Sequence, residues 1–409
     1  MMFDVVVIGA GLGGLSTAQR LRGHGLSVVV LEAQNHIGGV CRSELVDGFL
    51  CDSGLHLVSG KRLSRLLAVD SLDLRTVPEG VVARVPGEGV HVLGGVQADL
   101  EAGPYLDEWF NGVIEPDQPW GVTVKKMWES SSVAPSWISE PNKMGTEAFK
   151  RDVVDTFYSA LTWDRLGLAS FNRTNQAADE WLLHASVAAN GVGVLSGLLA
   201  QDIEIHLNVK ATSVVGGDRA IVHTNCGTYQ ASAVVLAAGR ATRQLVTVPS
   251  VGPESSAVSL WFAAEARPTD SCRVQLGFPG VGRVLHSTVV SNLAPSRAPS
   301  GSLVEATVLR DNSPSEGVDL QRVLADLSEI YSVPTRQWGM LRRYDLSRVV
   351  RCSFPGIVTG QHLPLANHLF PLMAPPGHAN AIEAGFALAD SVRRYLRRQG
   401  RWAWIHRGR

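Results

Sequence analysis

The N-terminal pattern of apolar and polar positions predicts a strand, a glycine-rich turn, a helix and a second strand. Residues 3–8 form an apolar, β-branched run without helical period, and this run ends in the sequence Gly9-Ala10-Gly11-Leu12-Gly13-Gly14. A helical stretch follows over residues 15–22, Gly25 ends it, and residues 26–31 are a second strand of the buried type that leads into Glu32 and Ala33. The order predicts a βαβ unit of about thirty residues.

The residue types in this unit fit a dinucleotide. Gly9 permits the tight turn, Gly11 lets the backbone approach a pyrophosphate, and Gly14 lets the helix pack closely on the strand. The helix N-terminus offers free N–H groups and the positive end of its dipole to the phosphates. Glu32, at the end of the second strand, is placed to accept hydrogen bonds from a ribose. We therefore expect a dinucleotide-binding site at this turn.

The middle of the chain predicts more strands and a second sheet. Strands are expected within residues 203–214, from after residue 218 through residue 222, and over residues 233–238, with a turn at residues 226–227. The sequence predicts no apolar strand before the glycines at 191–197 and no matching acid or Arg strand after them, so we interpret them as leading into a helix and expect no separate nicotinamide domain. Residues 257–262 and 303–309 alternate and residues 319–330 have helical spacing, which predicts a sheet-based second domain.

Composition and charge exclude several classes of protein. The 409 residues are 45% hydrophobic, enough for a full core and for two domains. The 37 basic and 38 acidic residues leave a net charge of -1, so no nucleic-acid partner is expected. The five scattered cysteines predict neither a disulfide framework nor a metal site, and favour a reducing, cytoplasmic location. The apolar run after Asp4 is too short for a membrane span and wrong for a signal peptide.

Two further segments resemble a known family. Residues 32–43, with Gly38-Gly39, and the stretch Asp52-Ser53-Gly54-Leu55-His56 are similar to motifs of FAD-dependent oxidoreductases of the amine oxidase, phytoene desaturase and protoporphyrinogen oxidase superfamily. The resemblance implies an α/β fold, in which a Rossmann-like FAD-binding domain is interleaved with an α+β substrate-binding domain. The implied ranges are 1–98, 182–255 and 346–398 for the FAD-binding domain, 99–181 and 256–345 for the substrate-binding domain, and 399–409 for a basic tail.

The resemblance also implies which residues contact a non-covalently bound FAD. They are Gly9, Gly11, Leu12, Gly13, Gly14, Glu32, Ala33, Gly38, Gly39, Val40, Arg42, Ser43, Leu55, His56, Ala211, Ala238, Gly239, Ala381 and Ile382. Covalent attachment through Cys352 is the alternative.

This chain departs from the family at two positions. Val40 stands where relatives usually have Arg, so a clamp on the phosphates is lost or passes to Arg42. The acidic residue that usually binds the ribityl chain is missing from residues 369–385, where the helix is expected to start at Ala381. Either FAD is held less tightly, or His378 and Asn380 supply compensating hydrogen bonds.

The candidate catalytic residues are His56 and His378, the ionisable side chains that the resemblance brings nearest the flavin. An imidazole suits proton transfer near neutral pH. The alternatives are that His56 is an ordinary loop histidine, and that His378 caps the helix or replaces the missing acid. Amine-oxidising relatives commonly use a Lys from the second half of the chain, whereas no Lys follows Lys210 here. A simple amine oxidase is therefore disfavoured.

These observations predict an FAD-dependent oxidoreductase that removes hydride from a C–N or C–C bond of a mostly apolar small molecule, in a setting such as specialised or isoprenoid metabolism. The alternatives are a non-redox FAD-dependent isomerase or cyclase, and a non-catalytic relative that has lost FAD. The region between residues 99 and 181 contains six tryptophans, which suit either an apolar substrate pocket or ordinary packing: Trp109, Trp120, Trp128, Trp137, Trp163 and Trp181. The arginine-rich, aromatic C-terminal tail is an ordinary solvated helix end or a contact for a membrane surface or partner.

Overall fold

The computed structural model describes residues 2–68, 72–78, 81–85, 89–93, 185–239, 242–245, 254–276, 284–310, 318–350, 368–372 and 377–399. The strands in these ranges are β1 (Met2–Ile8), β2 (Val28–Leu31), β3 (Ser43–Val46), β4 (Phe49–Asp52), β5 (Leu57–Ser59), β6 (Leu74–Thr76), β7 (Val81–Val85), β8 (Gly89–Leu93), β9 (Ala185–Ala188), β10 (Glu204–His206), β11 (Ala211–Val215), β12 (Ala220–Thr224), β13 (Gly227–Leu236), β14 (Glu254–Ala264), β15 (Val274–Leu276), β16 (Val284–Val289), β17 (Ser302–Arg310), β18 (Gly339–Val350) and β19 (Leu369–Pro371). The helices are α1 (Leu12–Gly23), α2 (Gly60–Leu67), α3 (Gly193–Leu199), α4 (Thr242–Leu245), α5 (Val290–Leu293), α6 (Leu320–Tyr331) and α7 (His378–Arg398), with a 3₁₀ turn at Pro295–Arg297.

The first sheet is mostly parallel and is buried at its centre. Its order is β10-β2-β1-β13-β12-β11, with β19 beside β13, and β10, β2, β1, β13 and β19 all run the same way. Strands buried on both faces read as continuous apolar runs, which explains why β2 and the C-terminal halves of β1 and β13 are almost entirely apolar. Helices α1 and α7 pack on this sheet, so the predicted α/β class is confirmed.

Helix α1 begins at Leu12 rather than near Leu15, because its first glycines are needed for packing inside the helix. A Cβ on Gly13 would lie 2.2 Å from Cδ2 of Leu372, and a Cβ on Gly14 would lie 2.0 Å from the carbonyl oxygen of Gly9. The low helix propensity of glycine predicts that these residues lie outside the helix. Here, however, neighbouring elements approach so closely that glycine is required inside it.

The second sheet has the order β18-β14-β17-β16-β15-β7-β8 and has two different faces. One face is apolar and is covered by α6, whose N-cap Asp319 accepts hydrogen bonds from the N–H groups of Gln321 and Arg322. The other face packs against the β3–β4 hairpin and the small β5-β9-β6 sheet. Period-two alternation along β14 and β17 separates the two sets of side chains.

The strand pairing differs from the predicted domain ranges at two places. Strands β7 and β8 lie within residues 1–98, but β7 pairs with β15 of the second sheet in parallel register, Val274 opposite Val81. Strand β18 extends to Val350, past the expected boundary at residue 345. Local periodicity predicts that a strand forms but not which sheet edge it joins, and the pairing partner decides the domain.

Among the helices that the structure describes, none is long and apolar enough to cross a bilayer. The tryptophan-rich segment at 99–181, Cys352 and residues 400–409 of the basic tail lie outside the described residues.

Candidate functional site

The carboxyl ends of β1, β2 and β13 meet at one edge of the first sheet, which we call the glycine edge: Gly9, Gly11, Glu32, Gly38 and Gly239. Gly9 follows β1 with φ of +107°, and its N–H donates to the carbonyl of Leu31 at 2.8 Å. A Cβ at this position would lie 2.5 Å from the carbonyl oxygen of Ala237. In open parallel sheets, ligands bind outside the carboxyl ends of the strands, so this edge is a candidate binding site.

Glu32 is held rigidly at this edge by backbone N–H groups. Its Oε2 accepts from the N–H of Ala10 at 2.8 Å, and its Oε1 accepts from the N–H of Gln34 at 2.9 Å. The N–H of Val209 donates to the backbone carbonyl of Glu32 at 2.8 Å, which brings the segment leading to Ala211 alongside it. The carboxylate is therefore oriented before any ligand arrives.

The N-terminus of α1 faces open space. A Cβ built on Gly11 would meet no neighbouring element of the described residues within 4 Å, and the first turn of α1 has neither a side-chain cap nor an acidic residue. Gly38 forms a parallel bridge to Gly11 and donates its N–H to the carbonyl of Ala10 at 2.8 Å. Uncapped N–H groups beside open space are what a phosphate needs.

The hairpin of β3 and β4 connects the glycine edge to the second sheet. The N–H of Ser53 donates to the carbonyl of Arg42 at 2.8 Å, and Ser43 Oγ donates to Asp52 Oδ1 at 2.6 Å. Arg42 lies 3.3 Å from Glu44, and its buried Nε has no hydrogen-bond partner in the described part of the chain. Val40, where relatives have Arg, is largely exposed.

Buried polar side chains gather on the second sheet where it faces the β3–β4 hairpin. We call this set the inner face: Ser259, Trp261, His286, Glu305 and Thr307. Trp261 pairs with Glu305 across β14 and β17, and Thr307 pairs with His286 across β17 and β16. Polar groups are buried in a protein interior only with partners, so such a face is a functional candidate.

His56 lies against the inner face. Its Nδ1 is 3.4 Å from Oε2 of Glu305, and its ring stands edge-on to Trp261 with centroids 5.9 Å apart. The ring of His286 is 6.0 Å away, and His286 Nδ1 is 3.9 Å from the same carboxyl oxygen. His56 and Glu305 are 2% and 1% exposed, which places the pair in a low-dielectric environment.

Burial decides the charge state of this cluster. It raises the pKa of Glu305 to about 8, against the opposing effect of hydrogen bonds from Thr307 and Ser259. Burial lowers the pKa of His286 to about 4. The pKa of His56 is held well below its usual value by burial first, then by the charges of His286, Arg297 and His378. At neutral pH the cluster therefore consists of a protonated carboxyl group and neutral imidazoles.

An ion pair fastens the inner face to the hairpin. Arg297 and Asp52 are both fully buried, with Nη2 and Oδ2 2.9 Å apart, and Arg297 also donates to the carbonyl of Leu50. The Arg297 guanidinium lies over the Trp261 ring at 5.3 Å, and Trp261 Nε1 donates to the carbonyl of Asp52 at 2.9 Å. Burial raises the pKa of Asp52, and the Arg297 guanidinium opposes that rise.

Helix α7 begins earlier than expected, at His378 instead of Ala381, because Gly377 is its N-cap and takes a φ of +117°, which glycine adopts readily, immediately before it. The N–H of Ala381 already donates to the carbonyl of Gly377, and Ile382 is buried in the apolar core, so the first turn starts at His378. His378 is buried, which lowers the pKa of its imidazole to about 4.

Comparison with known proteins identifies the family. Residues 12–389 match the model of the flavin containing amine oxidoreductases. The chain belongs to that family. A flavin-containing monoamine oxidase A of Dictyostelium discoideum, described as probable, is 25% identical over 54% of this chain and 47% of its own length. Protoporphyrinogen oxidase of Nicotiana tabacum is 42% identical over 17% of this chain and 14% of its own. The chain thus covers less than half the length of these relatives.

Solved structures share the fold of this chain. A double mutant of putrescine oxidase superposes with a TM-score of 0.65 over 96% of this chain and 99% of the other, at 17% identity. The superfamily resemblance, the enzyme class and FAD as the family cofactor are confirmed at the level of the family. The open space at Gly11, the uncapped α1 and the unpaired Nε of Arg42 fit that cofactor.

The structure places most of the predicted cofactor residues together. Those at the strand ends and the first turn of α1 are Gly9, Gly11, Leu12, Gly13, Gly14, Glu32, Ala33, Gly38, Gly39, Ala238 and Gly239. Those on or beside the connecting hairpin are Val40, Arg42, Ser43, Leu55 and His56. Ala211 begins β11, beyond the segment bonded to Glu32. Ala381 and Ile382 lie past the first residues of α7, and His378 is nearer its N-terminus.

Sequence reasoning missed five buried residues of the inner face and of the ion pair beside it: Asp52, Trp261, His286, Arg297 and Glu305. The sequence marks Asp52 only as the first residue of the motif at residues 52–56. The alternation along β14 and β17 could have indicated Glu305 and Trp261. One set of alternate residues in these strands is uniformly apolar, and both residues belong to the opposite set. No local pattern marks Arg297, whose partners are more than two hundred residues away in the chain.

Proposed function

We propose that the chain is an FAD-dependent oxidoreductase that removes hydride from a C–N or C–C bond of a mostly apolar small molecule. The observation that carries the proposal is the buried, uncharged acid–base cluster of His56 and Glu305, joined through one short hairpin to an edge fit for FAD. FAD, when bound, supplies the acceptor for the hydride. The remaining work, which is to bind, orient and manage protons, falls to the side chains.

The glycine edge and the hairpin would hold the cofactor without a covalent bond. The α1 N-terminus and Gly11 offer N–H groups to the pyrophosphate, Glu32 accepts from the ribose, and Arg42 offers its unpaired Nε–H. Arg42 thus takes over the part that Val40 cannot perform.

The substrate would lie beside the inner face, on the Nε2 side of His56. Trp261 is fully buried between His56 and Arg297 and donates its N–H to the carbonyl of Asp52, so it holds these groups in place instead of anchoring the substrate. His56 and His378 are buried and stay neutral at physiological pH, so either can exchange a proton with a bound molecule. A substrate with a large charged group would be poorly matched to this uncharged, water-excluded surface.

The first experiment is the visible spectrum of the purified chain. A flavin spectrum is expected, and acid precipitation should leave the yellow colour in the supernatant, since attachment is non-covalent. Anaerobic addition of apolar secondary amines and of cyclic alkenes should bleach the flavin if either bond type is oxidised. A colourless protein that does not take up added FAD would reject the proposal.

The catalytic histidines are tested by the variants His56→Ala and His378→Ala. A part in chemistry requires that FAD remains bound while the rate of anaerobic flavin reduction falls roughly 10²-fold or more. Reduction at full speed in both variants would leave orientation by the protein and the flavin itself as the mechanism.

A second candidate function is a non-redox FAD-dependent isomerase or cyclase. The protonated carboxyl group of Glu305 favours it, because a buried acid with a pKa of about 8 can protonate a double bond at neutral pH. Formation of an isomeric product without net bleaching of the flavin would distinguish this function from oxidation.

A further inference from the structure

The two oxygens of Glu305 have unequal environments, and this asymmetry has a consequence for His56. We propose that Glu305 is a positioning residue that holds a proton on Oε2 and thereby fixes His56 in the tautomer that carries its own proton on Nε2. His56 then presents a hydrogen-bond donor to a bound molecule. The inference deepens the proposed function, on which it rests for placing a ligand beside His56.

The hydroxyl groups around Glu305 all converge on one oxygen. Ser259 Oγ donates to Oε1 at 2.9 Å, and Thr307 Oγ1 donates to the same oxygen at 2.7 Å. Oε2 accepts no hydrogen bond from the residues that the structure describes. A buried carboxylate oxygen without donors is strongly disfavoured, so Oε1 serves as the carbonyl oxygen and Oε2 as the hydroxyl.

The hydroxyl on Oε2 faces imidazole nitrogens. His56 Nδ1 lies 3.4 Å away and His286 Nδ1 lies 3.9 Å away. Neither contact has hydrogen-bond geometry, so the proton stays on Oε2, with His56 Nδ1 as the nearer of the two acceptors. Among the described residues, the other charged or titratable groups that act on the cluster are the Asp52–Arg297 pair from the hairpin side, His378 from α7 and Tyr331 from α6. The ion pair is internally compensated and the other two groups are neutral at physiological pH, so this part of the chain places no net charge next to Glu305 to draw its proton away.

The second nitrogen of His56 is the functional end. When Nδ1 accepts from Glu305, a neutral imidazole must carry its hydrogen on Nε2. In the described part of the chain, Nε2 is buried and has no hydrogen-bond partner. It therefore suits an acceptor atom of a ligand, and His56 acts as a donor and not as the base expected from the sequence.

A metal ion is a poor alternative for this cluster. Two histidines beside a carboxyl group resemble a ligand set, but within the described ranges no three His, Cys, Asp or Glu side chains are arranged to hold one.

Substitution of Glu305 can separate the protonated from the ionised state. In Glu305→Gln, the amide oxygen can accept from Ser259 and Thr307 while the amide NH₂ donates to His56 Nδ1, so it mimics the protonated acid. Glu305→Leu removes both interactions at similar size. If the carboxylate were the functional form, Gln would be as damaging as Leu.

The direct measurement is the tautomer of His56 by long-range ¹H–¹⁵N NMR of histidine-labelled holoprotein, with His56→Gln assigning the signal. The Nε2–H tautomer is expected in the wild type and in Glu305→Gln, and a mixture in Glu305→Leu. An Nδ1–H tautomer or an imidazolium in the wild type would overturn the proposal. Spectra with and without FAD distinguish the acceptors: a hydrogen-bonded Nε2–H signal that is lost with FAD indicates a flavin acceptor, and one that is retained indicates another molecule.

A second readout is the rate of anaerobic flavin reduction at equal FAD occupancy. We expect Glu305→Leu to be slower by roughly 10²-fold and Glu305→Gln to recover most of that loss. Equal loss in both variants contradicts the proposal. If Glu305→Leu does not fold, the wild-type and Gln tautomers decide alone. A colourless protein would reject the proposed function, whereas the tautomer remains measurable without turnover.

Discussion

The glycine edge and the inner face are built by opposite means. At the glycine edge, the site is formed by backbone N–H groups and by the space that glycines leave open. Among the residues of this edge, Glu32 contributes the one functional side chain. At the inner face, side chains from separate strands and loops make the site, and the backbone only spaces them. The first needs a short contiguous segment, whereas the second needs the second sheet and the hairpin to be assembled together.

The difference teaches where each kind of function is encoded. A backbone site imposes residue types at fixed spacing, because only glycine fits Gly9 and Gly14. A site formed by side chains requires only that polar and apolar residues alternate along each strand, since any strand can carry a buried polar residue. The four predictions that follow test this contrast, from the largest expected effect to the smallest.

The largest effect is expected from breaking the buried ion pair of the inner face. Asp52→Asn keeps the shape and the acceptor for Ser43 but leaves the Arg297 charge unpaired in the interior. The free energy of unfolding should fall by about 3–5 kcal/mol in urea titrations. Asp270→Asn is the matched control, because it breaks an exposed Asp–Arg pair and should change stability by less than about 0.5 kcal/mol. Equal losses of stability in the two variants would show that burial does not determine how much an ion pair contributes.

The next effect concerns the one functional side chain of the glycine edge. Glu32→Ala should weaken FAD binding by about 1.5–3 kcal/mol, which is about 10- to 150-fold in Kd, because charge-assisted hydrogen bonds are lost. Titration of the apoprotein with FAD measures it. Glu204→Ala, on the exposed part of the neighbouring strand β10, should leave the affinity unchanged. Unaltered affinity in Glu32→Ala would reject the assignment of Glu32 to FAD.

Substitutions of Gly11 and Gly14 can distinguish a glycine needed for ligand binding from one needed for packing within the same turn. Gly14→Ala puts a Cβ 2.0 Å from a carbonyl oxygen and should cost about 1–3 kcal/mol of stability. Gly11→Ala has open space and an ordinary φ of -73°, so the fold should keep its stability while FAD affinity falls. Thermal unfolding of the apoproteins together with FAD titration gives both quantities. A destabilised Gly11→Ala that still binds FAD normally would reverse the two roles.

The effect that is smallest from one pH value to the next is a pH dependence of stability at the inner face. The pKa of Glu305 rises from 4.5 when unfolded to about 8 when folded, so unfolding releases a proton between these values. Stability should decline as pH increases across this window, with a slope of at most about 1.4 kcal/mol per pH unit. Glu305→Gln should remove this decline, whereas Glu265→Gln on the surface should not. Parallel profiles for wild type and Glu305→Gln would show that Glu305 is ionised throughout.

Several elements followed directly from local sequence. The strand, turn, helix and strand at the N-terminus, the helix predicted over residues 319–330 and the alternation of β14 and β17 all lie where the pattern predicts them, within a few residues. The start of α7 and the helical glycines Gly13 and Gly14 did not, because tertiary contacts set those boundaries.

By itself, the sequence determined the α/β class, the glycine edge and the family, because these depend on residue types at short, fixed spacing. Only the tertiary structure decided that β7 joins the second sheet, that Arg297 reaches Leu50 and Asp52, and that Glu305 meets His56. These contacts join residues that are far apart in the chain. Their chemistry arises from shared burial, which removes water from groups that are ordinary in isolation and so changes their charge state.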